Sequence, residues 1–243
     1  MKLANRNSSH CQAAMRAPLW GSVFVAAAIL CGLPSISRAA LVGTILTPPG
    51  TAVAPGLVPS GTSAGTLLAN LSSPFSFSSV SGTTSGTVIS AVYKESGGTL
   101  DFYYQIAVSP SSTDPVADES DVTFAGFSTA LGFRTDGAGL SGPGFVNGTV
   151  SPVTGDRDAA GDVINFSFQP PDTSEIYPGT TSNVLVISTN ATQFAAGNVS
   201  VIGGAAGTVA SFRPIPVPEP ASLALAAAIA TFGLMRRRAR NNT

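Results

Sequence analysis

The stretch that decides the fold reads Leu100-Asp101-Phe102-Tyr103-Tyr104-Gln105-Ile106-Ala107-Val108. Every second residue is a large apolar side chain, and polar, aromatic or small residues fill the positions between. A period of two residues is that of a β-strand with one face turned towards a core. The pattern predicts a strand here, with Tyr103 on the face opposite the apolar side chains.

Neighbouring stretches follow the same pattern. Residues 87–94 alternate as well, and 95–99 carry a Gly-Gly pair whose positive φ angles suit a tight hairpin between the two strands. Further strands are predicted at 162–168 and at 184–187. The second of these is apolar on both faces and should be central. A last hairpin is predicted from 198–202 through Gly203-Gly204 to 208–212.

No long helical period occurs between residues 40 and 217, and Gly, Pro, Ser and Thr interrupt the chain roughly every 8–12 residues. This spacing favours an all-β fold, a single jelly-roll-like β-sandwich, with a partly open barrel as the alternative. The sandwich is predicted over 65–213. It follows a segment at 40–64, for which we predict one strand at 41–46 and then an irregular, loosely attached Pro/Gly-rich stretch.

The N-terminal segment carries an export pattern. A basic leader precedes an apolar run at 19–33, and Ser37 and Ala39 supply small residues at −3 and −1 of a cut after Ala39. This order predicts a signal peptide over 1–39. The alternative is a short membrane anchor that stays, although the run is shorter than the roughly 20 residues that span a bilayer.

The C-terminal segment has three parts. Pro218-Glu219-Pro220 precedes an apolar run at 221–235, and arginines follow the run at positions 236, 237, 238 and 240. An apolar run followed by arginines predicts a single transmembrane helix whose far end stays in the cytoplasm. An ordinary single-pass anchor is the alternative interpretation.

These residues resemble the PEP-CTERM sorting signal of exopolysaccharide-producing bacteria, over about 214–243. The resemblance implies that an exosortase, a membrane protease or transpeptidase, recognises Pro218, Glu219 and Pro220 and cuts near them. It implies a stop and retention role for 221–235 and for the arginines, which are Arg236, Arg237, Arg238 and Arg240. The expected partners are the exosortase and a Sec-type export machinery. The expected location is transiently the membrane, then the cell surface or extracellular matrix, linked to exopolysaccharide or biofilm.

The near-neutral charge of the whole chain hides an asymmetry. The chain carries a net charge of −1, yet residues 40–217 contain four basic and twelve acidic side chains, a net charge of −8. Such a body offers no basic surface to phosphates. We therefore predict no nucleic-acid partner.

Residues 40–217 also lack several chemical groups. The only histidine is His10, and both cysteines, Cys11 and Cys31, lie in the predicted signal peptide. A Ser-His-Asp triad, a Cys-His pair and zinc sites built on His or Cys are thereby excluded for the body alone. We predict no catalytic residue, no cofactor and no enzymatic activity.

Carboxylates and tyrosines leave alternatives open. Two acidic clusters suit the oxygen preference of calcium, but solvated loops are the favoured interpretation and no metal site is predicted. The first cluster, expected in a Ser/Pro-rich loop, is Asp114, Asp118, Glu119 and Asp121; the second, expected as a turn, is Asp156, Asp158 and Asp162. Tyr103 and Tyr177 are candidate stacking platforms for a glycan-binding module, although Tyr103 equally suits packing under a loop or in a second layer. A glycan hydrolase using two carboxylates is a lesser alternative.

Overall fold

The structure is a computed structural model that describes residues 41–79, 82–142 and 144–217. Apart from two 3-10 turns, at Gly137–Gly139 and Asp172–Ser174, its regular elements are strands. The strands are β1 (Thr44–Leu46), β2 (Thr51–Val53), β3 (Gly56–Leu57), β4 (Thr66–Ser79), β5 (Gly82–Lys94), β6 (Leu100–Val108), β7 (Asp118–Asp121), β8 (Thr129–Arg134), β9 (Thr154–Arg157), β10 (Ile164–Ser167), β11 (Val184–Thr189), β12 (Phe194–Gly203) and β13 (Ala205–Pro214).

The strands form two sheets. Sheet A has the order β1-β8-β11-β6-β5-β4, with β3 also beside β8, and sheet B has the order β13-β12-β7-β10-β9-β2. The described strands pair antiparallel except β3, which runs parallel to β8 at Leu57 and Phe133. The expected all-β class, with two sheets stacked as a sandwich, is confirmed.

The main core lies between the sheets. Sheet A contributes the apolar side of β6, including Phe102 and Ile106, and sheet B contributes Phe166, Val199 and Val201. The strand predicted from the alternation that begins at Leu100 is confirmed as β6, because the alternation matches the pleat. The predicted central strand is also confirmed: β11 lies between β8 and β6.

A second, smaller core covers the opposite face of sheet A. Tyr93 and Tyr103 pack there with ring centroids 4.8 Å apart, beside Val186. Val58 and Phe145 cover them from two connecting segments. Sheet A is therefore buried on both faces at its centre, which explains why apolar and aromatic residues occupy both sides of its middle strands.

Both predicted hairpins are present. Lys94 pairs with Leu100, and the turn between them closes with Gly98 at φ 88°. The last hairpin joins β12 to β13 at Gly204, which has φ 67°. Positive φ is accessible to glycine at little cost, so the two Gly-Gly pairs fix these turns.

The segment before β4 differs from the prediction. Its first strand begins at Thr44, and the following Pro/Gly-rich stretch contributes β2 to sheet B and β3 to sheet A. The interpretation of this stretch as irregular and loosely attached is wrong. Short strands flanked by proline carry too few alternating residues to be detected as a pattern.

Candidate functional site

The first acidic cluster is not a loop. Residues 118–121 form β7, which lies between β12 and β10 in the middle of sheet B. Asp114 alone remains in a connecting segment, where it accepts a hydrogen bond from the Ser79 hydroxyl. The prediction that all four acids lie in a solvated loop is wrong, because Asp118, Glu119 and Asp121 belong to β7, whose pleat turns Glu119 and Asp121 to the buried face and Asp118 to the other.

Glu119 and Asp121 point into the main core. Glu119 is 0% exposed and Asp121 is 1% exposed. The neighbouring strands place Phe166 and Val201 beside Glu119, with Ile164 beside Asp121. Two carboxyl groups are thus enclosed by apolar side chains, an environment in which a charged group is strongly disfavoured.

None of the four carboxyl oxygens of this pair has a hydrogen-bond partner of normal geometry in the described structure. Burial raises the pKa of Glu119 well above its usual range, and the nearby charge of Asp121 raises it further. Burial raises the pKa of Asp121 to about 7. A proton shared between the two groups would remove one of their two negative charges and satisfy one oxygen of each.

Hydroxyl groups lie next to this pair. Tyr104 reaches across from sheet A and donates to the carbonyl of Phe212 at 3.3 Å. Burial raises the pKa of Tyr104, and the charges of Asp121 and Glu119 raise it further. Ser211 is buried beside the tyrosine. These polar side chains are fully buried between the two sheets. A substrate-sized molecule could reach them only if the sheets separated.

Two residues of the second acidic cluster, Asp158 and Asp162, lie in a turn between β9 and β10 as expected, whereas Asp156 belongs to β9. The Asp158 carboxylate accepts from the backbone nitrogens of Asp162 at 2.7 Å and Val163 at 3.0 Å. These backbone donors hold the pKa of Asp158 below its usual value. Asp156 lies in β9 and accepts from the Asn165 amide at 3.3 Å. The carboxylates that seemed available for calcium therefore serve as local acceptors.

Arg157 lies between those aspartates but points the other way. Its guanidinium is 2% exposed and donates to the carbonyls of Phe124 at 2.9 Å, Phe127 at 3.0 Å and Gly161 at 2.6 Å. It also donates to the Thr129 hydroxyl at 3.0 Å. Burial lowers the pKa of Arg157. The side chain is a clamp that joins the loop before β8 to the β9–β10 turn.

The two tyrosines predicted as candidate stacking platforms differ in their exposure to solvent. Tyr103 is 2% exposed and packs in the second core with Val58 and Phe145, so the prediction of an exposed platform is wrong there and the alternative of packing under a loop or in a second layer is confirmed. Tyr177 is 43% exposed, and its hydroxyl donates to the carbonyl of Asp172 at 3.3 Å. One exposed ring is less than the row of aromatics that a sugar-binding face uses.

A second carboxyl pair was not identified from the sequence. Asp101 projects from β6 on the face opposite the main core and is 2% exposed. Glu95, in the β5–β6 turn, lies beside it. Burial raises the pKa of Asp101 to about 7, and the neighbouring charge of Glu95 adds to the effect. Burial also raises the pKa of Glu95. The predicted hairpin was the feature of the sequence that could have revealed this pair, since it brings residues 95 and 101 to the turn end of β5 and β6.

This second pair borders a cleft at the surface. The cleft has a volume of about 520 Å³ and is lined by Ser63, Gly65, Thr66, Lys94, Glu95 and Ser96. Glu95 belongs to its wall. The buried Asp101 is not among the residues that line this cleft.

An ion pair lies close to the second pair. Arg134 donates from Nε and Nη2 to the two oxygens of Asp136, both at 2.9 Å, and from Nη2 to the carbonyl of Thr62 at 2.7 Å. Hydrogen bonding to Arg134 lowers the pKa of Asp136. Asp136 also accepts from the backbone nitrogen of Gly61 at 2.8 Å. The bidentate pair fastens the segment before β4 to the end of β8.

Other predictions concern residues outside the described ranges. These are the predicted signal-cleavage residues Ser37 and Ala39, the sorting motif Pro218, Glu219 and Pro220, the helix at 221–235 and the arginines at 236, 237, 238 and 240. Within the part of the chain that the structure describes, no helix has the length and hydropathy needed to cross a bilayer. In that same part, no group of three or more His, Cys, Asp or Glu side chains is arranged to hold a metal ion.

Comparison of the chain with protein-family models, with curated proteins and with solved structures finds no match.

Proposed function

We propose that this chain is an exported bacterial surface or extracellular-matrix protein, held at the membrane by residues 221–235 until an exosortase-like enzyme cuts near Pro218-Glu219-Pro220. Its body is a jelly-roll-like sandwich in the sense that the chain crosses repeatedly between two sheets. It lies between a signal peptide and one transmembrane helix, and its role is linked to exopolysaccharide or biofilm. The proposal rests on the three-part C-terminal segment that resembles the PEP-CTERM signal.

The end of the sandwich supports this reading. The last strand, β13, ends at Pro214, and the backbone nitrogen of Ile215 still donates to the carbonyl of Gln193 at 3.1 Å. Val217 is already half exposed. The motif begins at the next residue. Cutting there would remove no strand from either sheet, so the domain would keep its packing after processing.

A role without catalysis agrees with the carboxyl pairs. A glycosidase needs two carboxyl groups that face a sugar from a shared cleft. Glu119 and Asp121 are sealed in the core, and Asp101 is buried behind Glu95. Neither of these two pairs therefore presents two accessible carboxylates, so neither supports hydrolysis over a structural or binding role for the body.

Mass spectrometry of the surface-located protein tests the proposal directly. In cells with a working exosortase we expect a mature chain that begins at Ala40 and lacks residues 236–240. In otherwise identical cells without the exosortase, the same chain should retain the arginines and remain in the membrane fraction. Arginine-containing peptides on most of the surface-located protein in the first strain would contradict the cleavage and leave a plain anchor.

A further inference from the structure

We propose that Asn147 is a site of spontaneous deamidation in the folded protein, where the backbone nitrogen of Gly148 displaces the side-chain amide as ammonia. The modification concerns the delivered domain and does not depend on the sorting route, so either proposal can fail without the other. The reactant besides the chain itself is water.

Asn147 is followed by the residue that least obstructs such an attack. Asn147-Gly148 is the one Asn-Gly pair in the sequence. Glycine has no Cβ atom beside its nitrogen and reaches backbone angles that other residues avoid. Its nitrogen can therefore approach the side-chain carbonyl carbon of Asn147 more easily than the nitrogen that follows any other asparagine of the body.

The surroundings leave both reacting groups available. Asn147 is exposed, and residues 144–148 form neither helix nor strand. Within the described part of the chain, no acceptor pairs with the backbone N–H of Gly148. Water and hydroxide therefore reach the side-chain amide of Asn147, and loss of the Gly148 proton breaks no hydrogen bond of the fold.

A fixed donor faces the oxygen that becomes charged during the attack. The backbone nitrogen of Ala138 donates to Asn147 Oδ1 at 2.9 Å. When a nitrogen adds to the side-chain carbonyl carbon, negative charge collects on this oxygen, and a backbone N–H already directed at it stabilises that charge. The turn that carries Ala138 is closed by the backbone nitrogen of Leu140, which donates to the carbonyl of Gly137 at 3.0 Å. The donor is therefore in place before the reaction begins.

The nearby pair Asp136-Gly137 is an internal contrast. It has the same following glycine, but its carboxylate accepts two bonds of 2.9 Å from Arg134 and one of 2.8 Å from the backbone nitrogen of Gly61. These bonds stabilise the ionised carboxylate, which is a much poorer electrophile than an amide, and they restrain its rotation. We therefore expect reaction at Asn147 and not at Asp136.

The reaction balances with water alone. The Gly148 nitrogen passes its proton to hydroxide and bonds to the side-chain carbonyl carbon of Asn147. The bond from that carbon to Nδ2 breaks, and ammonia leaves with a proton taken from water. Water then opens the resulting cyclic imide at either carbonyl. The product at position 147 is an aspartyl residue or an isoaspartyl residue, in which the backbone runs through the former side chain.

The two products differ in their effect on the fold. An aspartyl residue keeps an oxygen for the Ala138 donor and adds one negative charge. An isoaspartyl residue lengthens the backbone by one methylene next to Gly148, where the Ser182 backbone leaves no space even for an added Cβ atom. Thr149 follows directly and is tied to the carbonyl of Thr181 at 3.0 Å. The isoaspartyl form should therefore unfold at a lower urea concentration than the natural chain.

Incubation of the full-length chain in mild detergent, at mildly acidic and mildly alkaline pH, tests the site. Peptide mass spectrometry should show amide-to-acid conversion at Asn147 that is faster in the alkaline buffer, because the attacking nitrogen must lose its proton. Asn190 is the matched control. It also accepts a backbone bond, from Ser128 at 2.9 Å, but the nitrogen of the following Ala191 is already bonded to the Thr189 hydroxyl. Conversion should be at least about tenfold faster at Asn147 than at Asn190.

The same chain unfolded in urea is the reference, because there neither pair is held by the fold. Enzymatic methylation of isoaspartyl groups should label position 147 in the folded chain and both positions 136 and 147 in the unfolded chain. Conversion at Asn147 in urea with none in the folded chain would overturn the site. Equal rates at Asn147 and Asn190 in the folded chain would overturn it as well.

Two variants test the donor. Ala138→Pro removes it, because proline has no backbone N–H, and should slow conversion in the folded chain at least about tenfold. Gly139→Ala keeps the donor, and its added Cβ meets nothing within 4 Å, so it should convert at the natural rate. A folded Ala138→Pro chain that converts at the natural rate would overturn the role of the donor. If that variant does not fold, the comparison of Asn147 with Asn190 still decides the site.

Discussion

Glu119 and Asp121 lie two residues apart on β7, and both carboxyl groups face the space between the sheets without a basic partner among the described residues. The nearest polar groups are hydroxyls, including that of Tyr104 on the opposite sheet. A charged pair in such surroundings would be very costly. The core therefore favours at least one protonated carboxyl group, and the stability of the sandwich must depend on pH.

The first prediction concerns the direction of that dependence. The folded state raises the pKa of Asp121 from its ordinary 3.8 to about 7, so folding favours the protonated group. The stabilisation is fully present below pH 3.8 and is lost as the pH rises through about 7. The urea midpoint should therefore fall over this range.

Asp121→Asn should remove part of that slope, because a neutral amide loses no proton as the pH rises. At each pH the urea midpoint of the variant is compared with that of the natural chain, using tyrosine fluorescence to follow unfolding. We expect this comparison to favour the variant more at pH 8 than at pH 4. The exposed control Asp172→Asn should keep the natural slope. An unchanged slope in Asp121→Asn would show that this carboxyl group is ionised in the folded protein.

The second prediction concerns Arg157. Arg157→Met would leave the carbonyls of Phe124, Phe127 and Gly161 without their donor, at about 1–3 kcal/mol each. We expect a loss of at least roughly 3 kcal/mol in the free energy of unfolding. Arg213→Met is the comparison, since Arg213 makes one exposed bond to the carbonyl of Ala196 at 3.2 Å. Similar losses in the free energy of unfolding for both variants would contradict the proposed role of Arg157 in joining the loop before β8 to the β9–β10 turn.

The third prediction concerns Gly148. A Cβ atom added there would lie far inside contact distance of the Ser182 backbone, whereas one added at Gly139 would meet nothing within 4 Å. Backbone cannot yield as a flexible side chain does, so Gly148→Ala should cost about 1–3 kcal/mol. Thermal unfolding should show this loss for Gly148→Ala and little change for Gly139→Ala. A Gly148 variant as stable as the natural chain would show that the segment before β9 can move away from β11.

The fourth prediction concerns sorting. Glu219→Ala changes only the central residue of the motif and leaves the apolar run and the arginines in place. If recognition needs the carboxylate, the uncleaved form should accumulate in the membrane fraction, as seen by immunoblot against the body. Glu175→Ala, a carboxylate in the loop after β10, is the control and should be processed normally. Normal processing of the Glu219 variant would show that the motif is incidental here.

Much of the sheet framework was predictable because alternation is a local property. The apolar residues of β6 and both glycine hairpins were correctly located from the sequence, since their period and turn chemistry do not depend on distant partners. In contrast, β7 carries acids where an inward strand usually carries apolar residues, so no periodic signal marks it. Its place between β12 and β10 follows from pairing with residues far along the chain.

The pair formed by Glu95 and Asp101 was likewise predictable only in part. The hairpin that brings Glu95 near Asp101 was predictable, but the burial of Asp101 was not, because residues around 58 and 145 cover that face from separate segments. Tyr103 was ambiguous for the same reason. Whether a polar side chain meets solvent depends on what lies over it, and the sequence alone does not show which segment that is.

By itself, the sequence determined that the body is β-rich, acidic and free of His and Cys, because composition and a two-residue period need no knowledge of contacts. It also carries the residue patterns from which export and sorting are predicted, because such patterns lie along the chain and need no knowledge of contacts. Only the tertiary structure decided which carboxyl groups are buried away from solvent. Glu119, Asp121 and Asp101 are buried because other strands and loops close over them, and their protonation follows from that loss of solvent.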